Sequence, residues 1–179
     1  MSVVYLGLGA NLGDREAALR AALDHLGASG QVTVGAVSSL YETAPMYDTD
    51  QPAFLNAAAR VITSLPPEAL LDLLKQVEGT LGRIARHRYG PREVDLDILL
   101  YDDIVLHTPR LTIPHRRLAE RAFALLPLAE LAPPRPIAGI DRTVEALIPA
   151  ALQLGAVRQV CARGWYAVDE SGVELRGAQ

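Results

Sequence analysis

The segment GPREVDLDILLY spans residues 90–101 and alternates apolar with acidic side chains in its second half. Asp95 and Asp97 stand between apolar residues at every second position, a pattern that predicts a β-strand. Because successive side chains of a strand point to opposite faces, the two carboxylates share one face, with Cα atoms roughly 6.5 Å apart at about 3.3 Å per residue. Leu96 and Ile98 point the other way and can anchor the strand in a core.

Two carboxylates fixed on a strand suit a hard cation. Mg²⁺ prefers carboxylates and phosphate oxygens to a full protein cage, and two metal ions about 3.5–4 Å apart could bridge such a pair to a polyphosphate. Without further context, an Asp-x-Asp motif more often marks the solvent-exposed face of a sheet than a metal site. Cations upstream, at Arg83, Arg86, Arg88 and Arg92, favour an anionic ligand, because arginine grips phosphate oxygens with a planar fork of donors.

Length and composition restrict the class of protein. The 179 residues predict one domain over residues 1–170, with a frayed tail over 171–179. A net charge of −4 argues against nucleic-acid binding by bulk electrostatics. The single Cys161 excludes an intramolecular disulfide and a cysteine-based zinc site, and it fits a reducing, cytoplasmic setting. We expect neither a signal peptide nor a membrane helix, because Met1 leads into a short apolar strand and no apolar run reaches about 18 residues.

The predicted elements follow the order β-α-β-β-α-β. They cover residues 3–8, 15–26, 32–41, 54–63, 66–81 and 94–101. This order is typical of a ferredoxin-like α+β fold, in which a right-handed crossover places both helices on one face of an antiparallel sheet. Beyond this core we expect a short strand over 111–115, a helical stretch over 116–131 broken at Pro127, a helix over 143–154 and an edge strand over 157–168.

The glycines near the N-terminus and Asn56 each allow a functional and a structural interpretation. Glycines at 7, 9 and 13 match neither the G-x-G-x-x-G nor the G-K-[ST] nucleotide loop, so a tight turn between strand and helix is favoured. Asn56 lies inside a predicted strand, where asparagine is depleted. It therefore requires either a ligand or a side-chain partner, and the sequence favours neither alternative.

A series of short motifs follows in a fixed order along the chain. They are GANLGD (9–14), SSLYETAP (38–45), QPAFLNA (51–57), Glu78, Gly82-Arg83, GPREVDLDI (90–98), IPH (113–115) and ERAF (120–123). Together they resemble the 6-hydroxymethyl-7,8-dihydropterin pyrophosphokinase family of folate biosynthesis, over roughly residues 3–134. The ferredoxin-like core predicted from the pattern of elements is also the fold that this resemblance implies.

The resemblance implies a pyrophosphoryl transfer. In that family the hydroxymethyl oxygen of the pterin attacks the β-phosphorus of ATP, and AMP leaves. Two Mg²⁺ ions are implied at Asp95 and Asp97, and such transfer depends mainly on positioning and charge neutralisation. The implied partners are ATP and the pterin, without nucleic acid or membrane, and the implied state is a monomer.

The resemblance also implies a set of site residues. The catalytic residues are Arg83, Arg92, Asp95 and Asp97, with the two aspartates as metal ligands. The pterin site comprises Thr43, Pro45, Met46, Phe54, Asn56, Tyr89 and Phe123. The ATP site comprises Arg83, Arg86, Arg92, Ile98, Arg110, Leu111, Thr112, His115 and Arg121. Strand parity directs the Ile98 side chain away from the carboxylates, so its contact would be partly through the backbone. Ordinary alternatives are core packing for the phenylalanines, a backbone-bonded strand-end histidine for His115, and a surface salt bridge for Arg121.

This chain departs from the family pattern at several positions. Tyr89 stands where tryptophan is common, and Ala10 where serine is usual. The loop over 83–91 is one residue shorter, which leaves Arg86 as the nearest candidate for a lysine contact. None of these changes removes a metal ligand. Two alternative functions make different demands on the sequence. A two-metal nuclease or phosphodiesterase would require further carboxylates or histidines near the aspartate pair. A non-catalytic ferredoxin-like binding module would be expected to have lost an aspartate or the arginines.

Overall fold

The computed structural model describes residues 1–45, 50–82 and 93–168 and contains both strands and helices. The strands are β1 (Ser2–Ala10), β2 (Val32–Val37), β3 (Leu40–Thr43), β4 (Phe54–Thr63), β5 (Asp95–Tyr101), β6 (Leu106–His107), β7 (Thr112–Ile113) and β8 (Val157–Cys161). The helices are α1 (Arg15–Ala28), α2 (Pro67–Thr80), α3 (Ala122–Ala129) and α4 (Val144–Leu152), with a 3₁₀ turn at Leu118–Glu120. The predicted tail over 171–179 lies outside the described residues.

The main sheet is antiparallel and has the order β5-β1-β4-β3-β8, with β2 also pairing with β4. The first strand of the chain therefore lies between β4, which precedes α2, and β5, which follows it. This arrangement confirms the predicted ferredoxin-like α+β core. β6 and β7 form a separate hairpin, and β8 extends the sheet beyond β3.

Helices cover both faces of the sheet. Leu6 and Leu96 belong to the core under α1 and α2, as predicted for both helices on one face. Tyr5 and Leu99 belong to a second core under α3 and α4. The C-terminal helices thus add a third layer, and Asp95 and Asp97, which alternate with Leu96, lie on this second face. Within the described ranges, no helix has the length and apolar character needed to cross a membrane.

The predicted strand over 32–41 is wrong in one respect, because it divides at Ser38 and Ser39 into β2 and β3. The Ser39 N–H and hydroxyl both donate to the Glu130 carboxylate, the latter at 3.0 Å. The Ser38 carbonyl accepts from Trp165 Nε1 at 2.7 Å. These partners replace the strand ladder at the division and attach the C-terminal segment to the sheet.

The predicted break at Pro127 is also wrong, because α3 continues through this residue. Leu125 and Leu128 on either side of it are fully buried in the second core. Their packing outweighs the ordinary tendency of proline to interrupt a helix. The predicted edge strand over 157–168 is shorter than expected and ends at Cys161, and the predicted strand over 111–115 is confined to Thr112–Ile113.

Candidate active site

A row of residues crosses four strands on the face under α3 and α4. Gly9 on β1 lies opposite Asp95 on β5 and opposite Asn56 on β4, and Asn56 lies opposite Tyr41 on β3. Directly opposed residues of antiparallel strands share a face. In the next row Gly7 lies opposite Asp97. Gly9 therefore leaves a bare surface, the glycine surface, between Asp95 and Asn56. The Leu99 side chain packs over Gly7, 3.2 Å from the position that a Cβ atom would take there.

Gly9 allows β1 to pass close to the Asn56 side chain. A Cβ atom at this position would lie 3.3 Å from Oδ1 of Asn56, which is tighter than most van der Waals contacts. The Asn56 amide is itself fixed, because its Nδ2 donates to Oγ1 of Thr43 at 3.0 Å. Asn56 thus has a side-chain partner, one of the two alternatives that the sequence left open, and its Oδ1 faces the glycine surface.

Asp97 has a cation and an imidazole beside it. Arg121 Nη1 lies 3.5 Å from Asp97 Oδ2, and His115 Nε2 lies 3.9 Å from the same oxygen. His115 reaches this position because its backbone N–H donates to the Leu99 carbonyl of β5 at 2.9 Å. The fold therefore brings together three residues that the sequence placed in the predicted catalytic and ATP sites.

The two ring nitrogens of His115 have different neighbours. The Arg117 N–H donates to Nδ1 at 3.2 Å, which favours the tautomer with its proton on Nε2. Nε2 lies 3.9 Å from Asp97 Oδ2 and 3.4 Å from Arg121 Nη1. Burial is the main influence and lowers the pKa of His115, whereas the negative charge of Asp97 opposes that decrease. Arg121 and Arg116 lower the pKa of this ring further. The lowered pKa favours a neutral imidazole at this position.

Arg121 is held in a cleft rather than on the open surface. Its side chain is 19% exposed, and its guanidinium lies 5.6 Å from the centre of the Phe123 ring, a cation–π contact. Within the described part of the chain, its buried Nε has no hydrogen-bond partner. Such a half-buried cation with a free N–H donor fits a ligand with anionic oxygens better than the surface salt bridge considered from sequence.

Four of the predicted pterin residues that the structure describes lie on β3 and β4 or line an adjoining cavity: Thr43, Pro45, Phe54 and Phe123. Phe54 on β4 lies opposite Thr43 on β3. A cavity of about 200 Å³ is lined by Thr43, Pro45 and Phe123, and on its outer side by the turn between α4 and β8, including Leu154. The walls are mostly apolar, as in pockets that bind flat organic ligands. Sequence reasoning did not anticipate the contribution of this C-terminal turn.

The donor set fits Mg²⁺ bound together with a phosphate ligand. Asp95 and Asp97 provide two hard carboxylate oxygen donors on one face, the kind of partial protein shell that Mg²⁺ completes with phosphates and water. In residues 1–45, 50–82 and 93–168, no group of three or more His, Cys, Asp or Glu could hold a metal ion. The converging ligands expected of a two-metal nuclease are therefore not found in this part of the chain.

Three other residues of the predicted ATP site are buried or half-buried, and two of them belong to the core under α1 and α2. Ile98 is 2% exposed and lies in the core under α1 and α2, as strand parity predicted. Leu111 also belongs to that core, and its backbone N–H and carbonyl both bond to Thr108. Thr112 is half-buried on β7.

Arg110 lies along α2 in this structure. It forms ion pairs with Asp72 and, at 3.7 Å, with Glu68. Five predicted site residues lie outside the described residues, and their placement stays a prediction: Met46, Arg83, Arg86, Tyr89 and Arg92.

Comparison with known proteins agrees with the arrangement of these elements. A family model described as 7,8-dihydro-6-hydroxymethylpterin-pyrophosphokinase (HPPK) matches residues 5–133. The 2-amino-4-hydroxy-6-hydroxymethyldihydropteridine pyrophosphokinase of Methylorubrum extorquens is 47% identical over 139 residues, which cover 78% of this chain and 88% of that protein. The protein of the same name from Bacillus subtilis is 48% identical over 130 residues, which cover 73% of this chain and 78% of that protein.

Solved structures share the fold. An HPPK-DHPS structure in complex with substrates aligns with a TM-score of 0.69 and 14% identity over 85% of this chain. An HPPK-DHPS structure from Plasmodium falciparum aligns with a TM-score of 0.68 and 16% identity over 85% of this chain. This chain spans 43% and 46% of those two chains.

Proposed function

This chain belongs to the 7,8-dihydro-6-hydroxymethylpterin-pyrophosphokinase family, and we propose that the glycine surface beside Asp95 and Asp97 is where it transfers pyrophosphate from ATP to the pterin. The protein is a diphosphokinase of folate biosynthesis, a transferase that produces AMP and the pterin diphosphate. One observation carries the assignment of the site. Asp97 lies within 3.5 Å of Arg121 and 3.9 Å of His115, so that carboxylate and two N–H donors meet at one edge of a bare surface.

The reaction requires the pterin hydroxymethyl oxygen, the β-phosphorus of ATP and the leaving oxygen to lie in line. The hydroxymethyl oxygen forms a bond to the β-phosphorus while the bond from that phosphorus to the oxygen shared with the α-phosphate breaks. AMP leaves with that oxygen, and the hydroxyl proton is released. Little covalent work falls to the protein, so its residues act by positioning and by charge.

Asp95 and Asp97 would hold Mg²⁺, and we propose two ions. When bound, Mg²⁺ neutralises phosphate charge and orients the reacting oxygens. Arg121 donates to phosphate oxygens from its cleft, and its stacking on Phe123 limits its movement. The Nε2–H of His115 donates to the same group of oxygens, and its neutral form spares the site the cost of a buried imidazolium.

The pterin ring is proposed to lie over the surface next to Asn56. Phe54 and Phe123 would stack on its faces, which stabilises such pairs by roughly 0.5–1.5 kcal/mol beyond burial. The Oδ1 of Asn56 would accept an N–H from the edge of the ring, because its Nδ2 already donates to Thr43. Pro45 lines the adjoining cavity.

The remaining assignments rest on the resemblance of sequence. Arg83 and Arg92 are proposed to grip the phosphates, Arg86 to replace a lysine contact, and Met46 and Tyr89 to complete the pterin wall. Ile98, Leu111 and Thr112 are proposed for the adenine side, and Arg110 would join them only after leaving its pairs with Asp72 and Glu68. A cytoplasmic monomer with one domain over residues 1–170 completes the proposal.

Replacement of Asp97 tests the proposed site. We expect Asp97→Asn to lower pterin-dependent AMP formation by at least about 100-fold, the usual scale for removing a preorganised charge from an active site. Asp103→Asn is the matched control, because Asp103 is exposed and pairs with Arg135 away from the glycine surface. Equal activity of the two variants, with both folded, would refute the proposed role of Asp97.

A further inference from the structure

Leu96, the residue between the two aspartates, is held from three directions. Its side chain is fully buried in the core under α1 and α2. Its N–H donates to Oε1 of Glu78 at 2.7 Å, and its carbonyl accepts from Nζ of Lys75 at 3.2 Å. β5 is an edge strand of the sheet, so α2 supplies these partners where a neighbouring strand would otherwise do so.

Glu78 is an unusual residue for its position. It is 1% exposed and continues the stripe of α2 that buries Leu70, Leu74 and Val77. A carboxylate removed from water destabilises a fold unless charge-assisted hydrogen bonds replace its hydration. Here the Leu96 N–H and the Lys75 ammonium, at 2.8 Å, provide them. An apolar side chain would fill this site with less desolvation, so the carboxylate is better explained by the backbone that it holds.

We infer that Glu78 and Lys75 are positioning residues that fix the direction of the Asp95 and Asp97 side chains. Rotation of the peptide groups on either side of Leu96 would move the Asp95 and Asp97 side chains together, because alternate residues of a strand point to the same face. Groups that bind a metal and a phosphate chain must be held within about 0.5 Å of their working geometry. The inference rests on the proposed function of the carboxylate pair.

The two α2 residues act from behind the sheet surface. Hydrogen bonds join them to each other and to the backbone of Leu96, whose side chain points to the core opposite the carboxylates. They therefore influence ligands of Asp95 and Asp97 through β5. The sequence offered one signal for this role, a glutamate on the buried stripe of an amphipathic helix.

Glu78→Gln tests the inference because glutamine keeps the shape and one acceptor oxygen but loses the charge. We expect amide hydrogen exchange at Leu96 to accelerate about tenfold, as a charge-assisted hydrogen bond becomes a neutral one, with exchange at Leu6 unchanged. Binding of ATP with Mn²⁺, followed by electron paramagnetic resonance, should weaken about fivefold to tenfold. Glu16→Gln is the matched control, since Glu16 pairs with Arg20 on the exposed face of α1 and should change neither quantity.

Several outcomes would overturn the inference. Equal acceleration at Leu96 and Leu6 would indicate a general loss of stability. Faster exchange at Leu96 with unchanged nucleotide binding would leave Glu78 a purely structural residue. If Glu78→Gln does not fold, Lys75→Met is tested instead, because the Lys75 side chain is 42% exposed and its replacement should be tolerated. We expect this variant to bind ATP with Mn²⁺ about threefold more weakly than the wild type. Unchanged binding would contradict the inference. A wild-type protein that does not bind ATP with Mn²⁺ would refute the proposed function as well, whereas wild-type binding with an unaffected variant refutes this inference alone.

Discussion

The Gly9→Ala variant tests whether the surface between Asp95 and Asn56 is the floor of the pterin site. The added methyl group would lie 3.3 Å from Asn56 Oδ1, so the amide must move by a few tenths of an ångström. Asn56 resists this movement because it is buried and its Nδ2 is bonded to Thr43 at 3.0 Å. The backbone of Gly9 is outside the positive-φ region, so alanine itself introduces no backbone strain there.

The expected magnitudes separate stability from binding. Replacing glycine by alanine stabilises a fold by about 0.4–1 kcal/mol through the unfolded state, and weakening the Asn56–Thr43 bond costs up to about 1 kcal/mol. These contributions nearly offset, so we expect the free energy of unfolding to change by less than about 0.5 kcal/mol. The pterin loses a well-placed acceptor and part of its floor, which we estimate at about 1.4 kcal/mol, or tenfold in affinity.

The assay is a fluorescence titration with pterin in the presence of a non-hydrolysable ATP analogue, alongside urea unfolding. Gly27→Ala makes the same chemical change in α1, where a Cβ atom would have no neighbour within 4 Å. It should be slightly stabilising and should leave pterin affinity unchanged. An affinity of Gly9→Ala within twofold of the wild-type value would refute the placement of the ring over Gly9.

Three further predictions follow from single contacts. Arg121→Met should lower kcat/KM by about 10–100-fold, the scale of lost hydrogen bonds to charged groups. Arg135→Met, on the exposed surface, should leave kcat/KM unchanged. Equal rates of the two variants in steady-state assays would contradict the role of Arg121. Trp165→Phe removes the donor to the Ser38 carbonyl and should lower the free energy of unfolding in urea by about 1–3 kcal/mol. Tyr166→Phe should change this free energy by under about 0.5 kcal/mol. Similar losses of stability in the two variants would count against the contribution of the Trp165 hydrogen bond. Hydrogen bonds from Arg158 and then Arg15 lower the pKa of Glu42 in the fold, so the stability that they provide is present above the unfolded pKa and is lost as pH falls through the folded value. Glu42→Gln should therefore be less stable than the wild type near neutral pH and approach it below about pH 4; a difference that persists in acid unfolding curves would be inconsistent with this linkage.

Alternation and helical spacing predicted most of the core because those elements are specified locally. β4 begins and ends at the expected residues, Phe54 and Thr63, and β5 carries Asp95 and Asp97 on one face. The division at Ser38 and Ser39 could not be predicted in this way. Its partners, Glu130 and Trp165, lie 91 and 127 residues further along the chain from Ser39 and Ser38 respectively, and no local pattern indicates such contacts.

The candidate site shows the same distinction. Strand parity placed the two carboxylates together and Ile98 on the opposite face, which the structure confirms. Residue spacing contained no information that His115 and Arg121 would lie beside Asp97, and their place in the predicted ATP site came from the resemblance to a family. The Arg110 ion pairs with α2 and the Glu78 contact with Leu96 depend on tertiary packing, so they became visible only in the structure.

The most direct test of the central claim is phosphorus NMR of the wild-type reaction with ATP, Mg²⁺ and 6-hydroxymethyl-7,8-dihydropterin. The account predicts that AMP and the pterin diphosphate appear together in equal amounts, with two coupled phosphorus signals on the pterin product. ADP together with a pterin carrying one phosphate would contradict it, because the attack would then have occurred at the γ-phosphorus. Absence of any pterin-dependent change, with the protein folded, would contradict it equally.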